Sequence, residues 1–181
     1  RAFTGRDLIL SSGYHGWHSW TVANAAGVPA VVRNLTEPLE MWREGPVEAA
    51  AVIIEPDALH VDDLRALREW CDRNGTVLIF DEILTGFRIC SGGHQFLTGV
   101  TPDLATFSKA MGNGYAIAAV VGKRDVMSTF EKVGVSGTFG GDTVGLAAAK
   151  AVIDKPERDD RAYYKRLWDV GYRLREGFCH S

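Results

Sequence analysis

Short runs of apolar and β-branched residues recur along the chain, and most of them are continuous rather than alternating with polar residues. Continuous runs of this length are typical of strands that are buried on both faces of a sheet. The runs that predict strands fall at residues 8–11, 30–32, 51–54, 77–80, 104–107 and 117–121. The pattern therefore predicts a sheet that lies inside the protein.

Helical patterns separate some of these runs. Residues 61–74 carry apolar side chains at helical spacing, two aspartates in the first turn and a glycine directly after the last turn. The apolar residues of this pattern are Leu64, Leu67, Trp70 and Cys71. Together with the runs on either side, this segment predicts a β-α-β unit. Two further helices are predicted over residues 142–153 and about 160–178.

Strands that alternate with helices predict an α/β fold, with a mostly parallel central sheet and helices on both faces. In such sheets, ligands bind at the carboxyl ends of the strands. The sequence suggests one domain boundary, near residues 154–156. We expect a large domain over residues 1–154, incomplete at its N-terminus, and a helix over residues 155–181 that leads towards a C-terminal small domain.

Composition narrows the class of function. The net charge is -3, and lysines and arginines are scattered along the chain, so no basic surface for nucleic acid or an anionic membrane is predicted. No apolar run approaches the roughly 20 residues that span a bilayer. The three cysteines are widely spaced, which predicts neither a disulfide framework nor a zinc site and favours a cytoplasmic location. We therefore expect the protein to act on small molecules.

Two consecutive acids, Asp81 and Glu82, end the apolar run at residues 77–80. An ionised carboxylate beside a core strand is costly unless a cationic group meets it. Because side chains alternate along a strand, only one of the two acids can enter a crevice on a given face. The alternative is that both acids cap a loop or the following helix.

Lys109 follows the run at residues 104–107 and is surrounded by small residues. A nucleophilic lysine must lose its proton, which desolvation and nearby positive charge favour. If the two runs share one parallel sheet, Asp81 and Lys109 emerge at the same edge. Pyridoxal 5'-phosphate (PLP) needs an acid that keeps its pyridine nitrogen protonated and a lysine for its aldehyde carbon. The pair therefore predicts a PLP site, with a solvent-facing lysine as the alternative.

An aromatic loop at residues 13–20 follows the first predicted strand, and Tyr14 in it is suited to stacking on a flat ring. His15 and His18 are three residues apart, but no acid or cysteine at a matching spacing completes a metal site. We therefore predict no metal. The alternative is a loop that only packs on its own domain.

A glycine-rich turn at residues 136–142 runs into the helix predicted after it. Free N–H groups at a helix N-terminus, together with the hydroxyl of Thr138, are typical of a phosphate site. Glycine-rich turns before helices are common, so this motif gains weight only beside the others.

Taken together, these motifs resemble class III, fold type I PLP-dependent aminotransferases, in the branch that includes glutamate-1-semialdehyde aminomutase. The resemblance covers about residues 4–153 and rests on the segments GYHGWHSW, AAVIIEP, LIFDEILTGFR, TFSKAMGNG and SGTFGGDTVGLAAAKA. It implies the large domain of the PLP-dependent transferase fold type I and a PLP-dependent enzyme.

The resemblance also implies roles for particular residues. Asp81 is implied as the partner of the pyridinium nitrogen and Lys109 as the lysine that carries PLP as a Schiff base. Tyr14 is implied to stack on the cofactor ring, with His15 beside it. Thr138 is implied to reach the PLP phosphate of the neighbouring subunit, so a homodimer is expected.

Two acids in the family motifs, Glu55 and Glu82, are interpreted as supporting residues rather than catalysts. Leu84 stands where ω-amino-acid transaminases usually have glutamine, which favours the aminomutase-like branch. The phosphate-binding segment expected before the first strand, and the carboxylate-binding arginine of the small domain, are not found in the sequence. If the chain were complete, weak cofactor binding would be expected.

Three functions stay open from sequence. The first is transfer of an amino group between a small-molecule amino donor and a keto or aldehyde acceptor. The second is intramolecular amino transfer of the glutamate-1-semialdehyde 2,1-aminomutase type. The third is a truncated, non-catalytic relative that keeps the fold as a binding or dimerising module.

Overall fold

The computed structural model describes residues 1–22, 25–155 and 160–179, and its centre is a six-stranded sheet. Neighbouring strands follow the order β2-β1-β3-β4-β5-β6. All pairs are parallel except that between β5 and β6, which is antiparallel. The strands are β1 (Leu8–Ser12), β2 (Thr36–Pro38), β3 (Ala49–Ile54), β4 (Val77–Asp81), β5 (Leu104–Phe107) and β6 (Ala119–Gly122).

Helices connect and cover these strands. They are α1 (Ala30–Arg33), α2 (Val61–Asn74), α3 (Gly93–Thr98), α4 (Arg124–Met127), α5 (Thr143–Asp154) and α6 (Asp160–Cys179). Short 3-10 turns lie at Leu39–Arg43, Pro56–Ala58, Lys109–Met111 and Ser128–Lys132. Within the described residues, none of the helices has both the length and the apolar character needed to cross a membrane.

The core lies on both faces of β3, in which all six residues are buried. This explains its continuous apolar sequence, since neither face of the strand meets water. From α2, Leu64 and Leu67 pack fully buried against this core. Burial of a leucine side chain stabilises a fold by about 1.5–3 kcal/mol, so the apolar face of α2 holds the helix on the sheet. The helix ends at Gly75, whose φ of 60° places it in the left-handed region.

The structure confirms most of the predicted elements. A mostly parallel α/β sheet is present, and the strands predicted at 8–11, 51–54, 77–80 and 104–107 form β1, β3, β4 and β5. The helix predicted over residues 61–74 is α2, and the two later helices are α5 and α6. The domain boundary predicted near residues 154–156 falls at the end of α5. Residues 156–159 lie outside the described residues, so this boundary stays a prediction.

One predicted strand is wrong, and one strand was missed. Residues 30–32 belong to α1, because the N–H groups of Val32 and Arg33 both donate to the Pro29 carbonyl at 3.0 Å and close a helical turn. The sheet edge is formed instead by β2, which is only three residues long and has no apolar side chain except its proline. The run at 117–121 forms its strand slightly later, as β6, and it pairs antiparallel.

Asp103 ties together the end of the sheet opposite the predicted site. Its Oδ2 accepts hydrogen bonds from the Leu78 N–H at 2.7 Å and from Arg68 Nη1 at 2.9 Å, and its Oδ1 lies 2.6 Å from Lys123 Nζ. Burial alone raises the pKa of this carboxyl, but the hydrogen bonds from Lys123, the Leu78 N–H and Arg68 outweigh burial and hold the pKa below its ordinary value.

Replacing Asp103 by asparagine should lower the free energy of unfolding at neutral pH by about 2–3 kcal/mol, because it removes the buried carboxylate that accepts hydrogen bonds from the Leu78 N–H, Arg68 and Lys123. The native carboxylate has a lowered pKa, so its stabilisation is fully present above the ordinary value of 3.8 and is lost as the pH falls through the lower native value. Urea unfolding of both proteins at a series of pH values should therefore show a gap that closes in acid.

Asp72→Asn is the matched control. Asp72 also pairs with Arg68, at 2.8 Å, but its side chain is 60% exposed, so the change should alter stability by only about 0.5 kcal/mol or less. Equal losses in the two variants would contradict the role given to Asp103.

Candidate active site

Asp81 is the last residue of β4 and stands at the carboxyl edge of the parallel strands. Its Oδ2 lies 2.7 Å from His15 Nδ1, while its Oδ1 accepts hydrogen bonds from the Ile83 N–H at 3.1 Å and the Thr106 hydroxyl at 3.2 Å. The side chain is only 7% exposed. Three partners thus fix the orientation of one nearly buried carboxylate.

The environment of Asp81 keeps it ionised. Burial alone raises the pKa of the carboxyl, but hydrogen bonds from His15, the Ile83 N–H and Thr106, with the charge of His15, outweigh burial and bring the pKa below its ordinary value. A carboxylate has about four lone-pair positions, of which these contacts use three. One position on Oδ2 is left to accept an N–H group from a ligand.

Lys109 lies just beyond β5, the strand that neighbours β4 in the sheet. Thr106, which bonds to Asp81, pairs with Asp81 in the register of these strands, and Lys109 follows three residues later. The structure therefore confirms that both residues lie at the same sheet edge. The Lys109 side chain is exposed and has no hydrogen bond or ion pair with another described residue, so its amine is available for chemistry.

The backbone around Lys109 is held in an unusual conformation. Lys109 has a φ of 44°, in the left-handed region that a residue with a side chain rarely adopts. The loop is held closed by the Ser108 hydroxyl, which donates to the Ile117 carbonyl at 2.7 Å. The loop is also tight at Gly112, where an added side chain would collide with the Tyr115 carbonyl. The small residues that flank the lysine are thus needed for this close loop.

A cavity of about 770 Å³ opens beside Lys109. One wall is the loop that follows the lysine, and the other is α6, whose Trp168 Nε1 donates to the Arg88 carbonyl at 3.1 Å. Asp81 and Tyr14 do not line this cavity. The lining residues outside the loop are Phe87, Arg88, Val152, Tyr163, Leu167, Trp168 and Gly171.

Glu55 holds the loop that carries Tyr14. The Tyr14 N–H donates to Glu55 Oε2 at 3.4 Å, and a Cβ added to Gly13 would lie 2.5 Å from the same oxygen. Gly13 also has a φ of +100°, which favours glycine. The Tyr14 ring is 57% exposed and meets Trp17 edge-on, with 6.3 Å between ring centroids. Tyr14 thus presents an aromatic face near the strand ends.

Glu82 points away from Asp81, as the alternation of side chains along a strand requires. It is fully buried and accepts hydrogen bonds from the Thr85 hydroxyl at 2.7 Å, the His94 N–H at 2.8 Å and the Gln95 N–H at 3.2 Å. These N–H groups belong to the first turn of α3. Glu82 therefore caps a helix and closes the loop after β4, while Asp81 alone faces the sheet edge.

Thr138 lies in an exposed turn before α5, and its side chain forms no hydrogen bond with another described residue. The structure does not bring it to Asp81 or Lys109. The N-terminus of α5 is also less open than the sequence suggested, because Asp142 caps it by accepting the Gly145 N–H at 2.7 Å. The Asp142 carboxylate accepts this N–H group, and its negative charge disfavours a second anion at the N-terminus of α5.

The residues at the sheet edge fit PLP. Asp81 is ionised and has one acceptor position left, Lys109 has an unengaged amine, and Tyr14 offers an exposed ring. No group of three metal-binding side chains occurs in the described part of the chain. Asp81 can accept the N–H of a protonated ring nitrogen, and the amine of Lys109 can bind a carbonyl carbon.

The family model for class-III aminotransferases matches residues 21–178. The chain belongs to this family. It is 39% identical to a 3-aminobutyryl-CoA aminotransferase of Cloacimonas acidaminovorans (strain Evry), over 88% of this chain and 43% of the relative. It is 35% identical to a glutamate-1-semialdehyde 2,1-aminomutase of Pyrobaculum calidifontis, over 98% of this chain and 47% of the relative.

A solved structure agrees with this assignment. The FumI protein of Sphingopyxis sp. MTA144, described in its PLP internal aldimine form, superposes with a TM-score of 0.83 and 28% identity, over 98% of this chain and 47% of that one. The expected class III family and fold are confirmed. The chain spans about half the length of these relatives, and both aminotransferases and an aminomutase are among them.

Two participants in the site were not identified from sequence. Thr106 gave no signal beyond being a hydroxyl residue near the end of an apolar run, and its bond to Asp81 depends on the register of β4 and β5. The Ser12 carbonyl, which lies 2.9 Å from His15 Nε2, is a backbone group that the identity of residue 12 does not specify. Both contacts depend on how distant segments meet.

Replacing Gly93 by alanine should destabilise the protein much more than replacing Gly99. Both glycines have a left-handed φ, +66° and +69°, so each variant carries a backbone cost of about 1–2 kcal/mol. Only at Gly93 would the new Cβ lie 2.6 Å from the buried Glu82 carboxylate, whereas nothing lies within 4 Å at Gly99. Thermal unfolding of the two variants measures the difference. Equal losses would show that Glu82 can move without cost.

Proposed function

We propose that the protein is a PLP-dependent aminotransferase, which moves an amino group between a small-molecule amino donor and a keto or aldehyde acceptor. The observation that carries this proposal is the ionised Asp81, oriented by three partners, on the strand next to the one that leads to Lys109. Membership of the class-III aminotransferase family supports the same function.

Each residue has a separate task in this proposal. When bound, PLP supplies an electron-withdrawing ring that stabilises negative charge at the substrate Cα. Asp81 would accept the N–H of the ring nitrogen and keep that nitrogen protonated, and Tyr14 would lie against the ring. Lys109 would hold the cofactor through its Nζ, and the same amine would then move a proton at the substrate Cα; proton transfer of this kind contributes about 10²–10⁴-fold to a rate.

Lys109→Ala should abolish both turnover and covalent capture of the cofactor. The whole protein is mixed with PLP and reduced with borohydride, and the labelled peptide is identified by mass spectrometry. The label should fall on Lys109 in the native protein and be absent from the variant. Lys165→Ala removes an exposed lysine that pairs with Asp169 and should keep both label and turnover. Labelling of another lysine in the native protein would overturn the assignment.

We further propose that the enzyme is a homodimer in which Thr138 binds the PLP phosphate of the neighbouring subunit. The exposed Thr138 hydroxyl, which forms no hydrogen bond with another described residue, supports this proposal. A cytoplasmic location is part of the proposal, because an exposed thiol such as that of Cys179 persists in a reducing compartment.

Mixed dimers test the role of Thr138. A dimer of one Lys109→Ala subunit and one Thr138→Val subunit should keep about half of the native activity, because one of its two sites has both native residues. The Lys109→Ala homodimer should be inactive, and the Thr138→Val homodimer should have reduced activity. If Thr138 serves its own subunit, the mixed dimer has no intact site. Its activity should then be no higher than that of the Thr138→Val homodimer.

A second candidate function is intramolecular amino transfer. The 35% identity to the Pyrobaculum aminomutase over 98% of the chain supports it, as does the apolar Leu84, which is 47% exposed near Asp81. The same residues serve both reactions. Turnover that requires no external amino acceptor would favour the aminomutase.

A further inference from the structure

We propose that a cleft at the carboxyl ends of β1 and β2 binds a polyhydroxylated ring, a sugar or a cyclitol, and so holds the part of an amino substrate that is remote from the amino group. The cleft has a volume of about 700 Å³, and neither Asp81 nor Lys109 lines it. The substrate role rests on the proposed function, whereas binding of the ring does not depend on the chemistry at Lys109.

Hydrogen-bonding groups without a protein partner line the cleft. The side chains of Ser11, Ser12 and Asn34 form no hydrogen bond or ion pair with another described residue. A hydroxyl both donates and accepts, and a side-chain amide offers two donors and an acceptor. The hydroxyls of a sugar also donate and accept. The cleft wall is therefore chemically complementary to a polyhydroxylated ring.

Thr36 adds a hydroxyl for which the described part of the fold provides no partner. The residue lies on β2 in the wall of the cleft, and its Oγ1 is shielded from water without a hydrogen bond to any described residue. An unsatisfied hydroxyl of this kind lowers stability. A ligand hydroxyl seated against β2 would satisfy it and offset that loss, so this group itself points to a ligand.

An exposed indole ring completes the cleft. Trp17 lines the cleft with a side chain that is 78% exposed, and its ring meets that of Tyr14 edge-on. The face of an indole ring is apolar and electron-rich, so it can pack against the C–H face of a sugar ring. Partners for the hydroxyls of the ligand and a surface for its C–H face are thus both present.

The charges of the cleft favour a neutral ring. Arg33 and Glu37 both line the cleft, so their formal charges cancel. Arg33 is also partly engaged, because its Nη2 donates to the Val28 carbonyl at 3.1 Å. A phosphorylated ligand such as a nucleotide is held best by a surplus of positive charge, whereas a sugar or cyclitol needs none. A neutral polyhydroxylated ring therefore fits the cleft better than a nucleotide does.

The cleft and Asp81 lie on the same face of the sheet. Ser11 stands opposite Ile53 in the strand register. Ile53 in turn stands opposite Ile79, which precedes Asp81 by two residues. Because side chains alternate along a strand, Ser11 and Asp81 point to the same face. Since β1 lies two strands from β4 and neighbouring strands are about 4.8 Å apart, roughly 10 Å separates the cleft from the Asp81 site. One extended substrate can span that distance.

Saturation-transfer difference NMR tests the binding site. Methyl β-D-glucoside, which has no amino group, is titrated into the whole protein, and its affinity is measured from the sugar signals. Trp17→Ala should weaken the affinity roughly two- to tenfold, because the aromatic contact is lost. Phe96→Ala removes an exposed ring from α3, outside the cleft, and should leave the affinity unchanged. Absence of binding, equal losses in the two variants, or tighter binding of adenosine monophosphate would overturn the proposal.

Thr36→Val separates a binding role from a structural one. Valine keeps the shape of the side chain and removes a hydroxyl without a partner, so the midpoint of thermal unfolding should not fall. The affinity for methyl β-D-glucoside should nevertheless fall roughly two- to tenfold, because one hydrogen bond to the ligand is lost. Lower stability with an unchanged affinity would show that the hydroxyl serves the fold, and would contradict the site.

A matched pair of amines tests the substrate role. 6-Aminohexyl β-D-glucoside and hexylamine carry the same amine on the same arm, and only the first carries the ring. The KM of the glucoside should be lower by roughly tenfold, and the ratio of the two KM values should shrink in Trp17→Ala. Equal KM values, or turnover of neither amine, would overturn the substrate role. Failure of the Lys109 labelling would instead refute the proposed function and leave the binding of methyl β-D-glucoside standing.

Discussion

The site depends on one constraint: a carboxylate must stay charged while almost entirely removed from water. Asp81 meets this constraint because donors arrive from three separate segments, the loop after β1, the turn after β4 and the strand β5. Each donor is placed by the parallel sheet, whose carboxyl edge gathers the ends of β1, β4 and β5. The sheet thus supplies the site with geometry and electrostatics together.

The two acids at the end of β4 show how the direction of a side chain decides its role. Asp81 and Glu82 are neighbours in sequence and both are buried, yet they face opposite sides of the chain. Glu82 accepts hydrogen bonds from two N–H groups of α3 and from the Thr85 hydroxyl, so it stabilises the loop after β4. Asp81 is left with an acceptor position, so it is the member of the pair that can accept a hydrogen bond from a ligand.

Much of this could be predicted from the sequence, where local signals are strong. The apolar runs predicted β3, β4 and β5, and the helical spacing followed by Gly75 predicted α2. Prediction failed for two different reasons. At residues 30–32 a local hydrogen bond from the Val32 N–H to the Pro29 carbonyl closes a helical turn within an apolar run. The three-residue β2 is a strand only because β1, a distant segment, lies beside it. Asp81 and Lys109 were predicted from sequence to lie at one sheet edge, and they do. The contacts of Thr106 and the Ser12 carbonyl depend on how distant segments meet and were not predicted.

The contact between His15 and Asp81 also has a consequence for folding. It joins residues 66 positions apart, on segments attached to β1 and β4, which are separated in the sheet by β3. Closing so long a loop costs entropy that paired strands offset, so we expect this contact to form after the three strands have paired. We then expect Asp81 to stay hydrated through early folding and to acquire its buried, hydrogen-bonded state late.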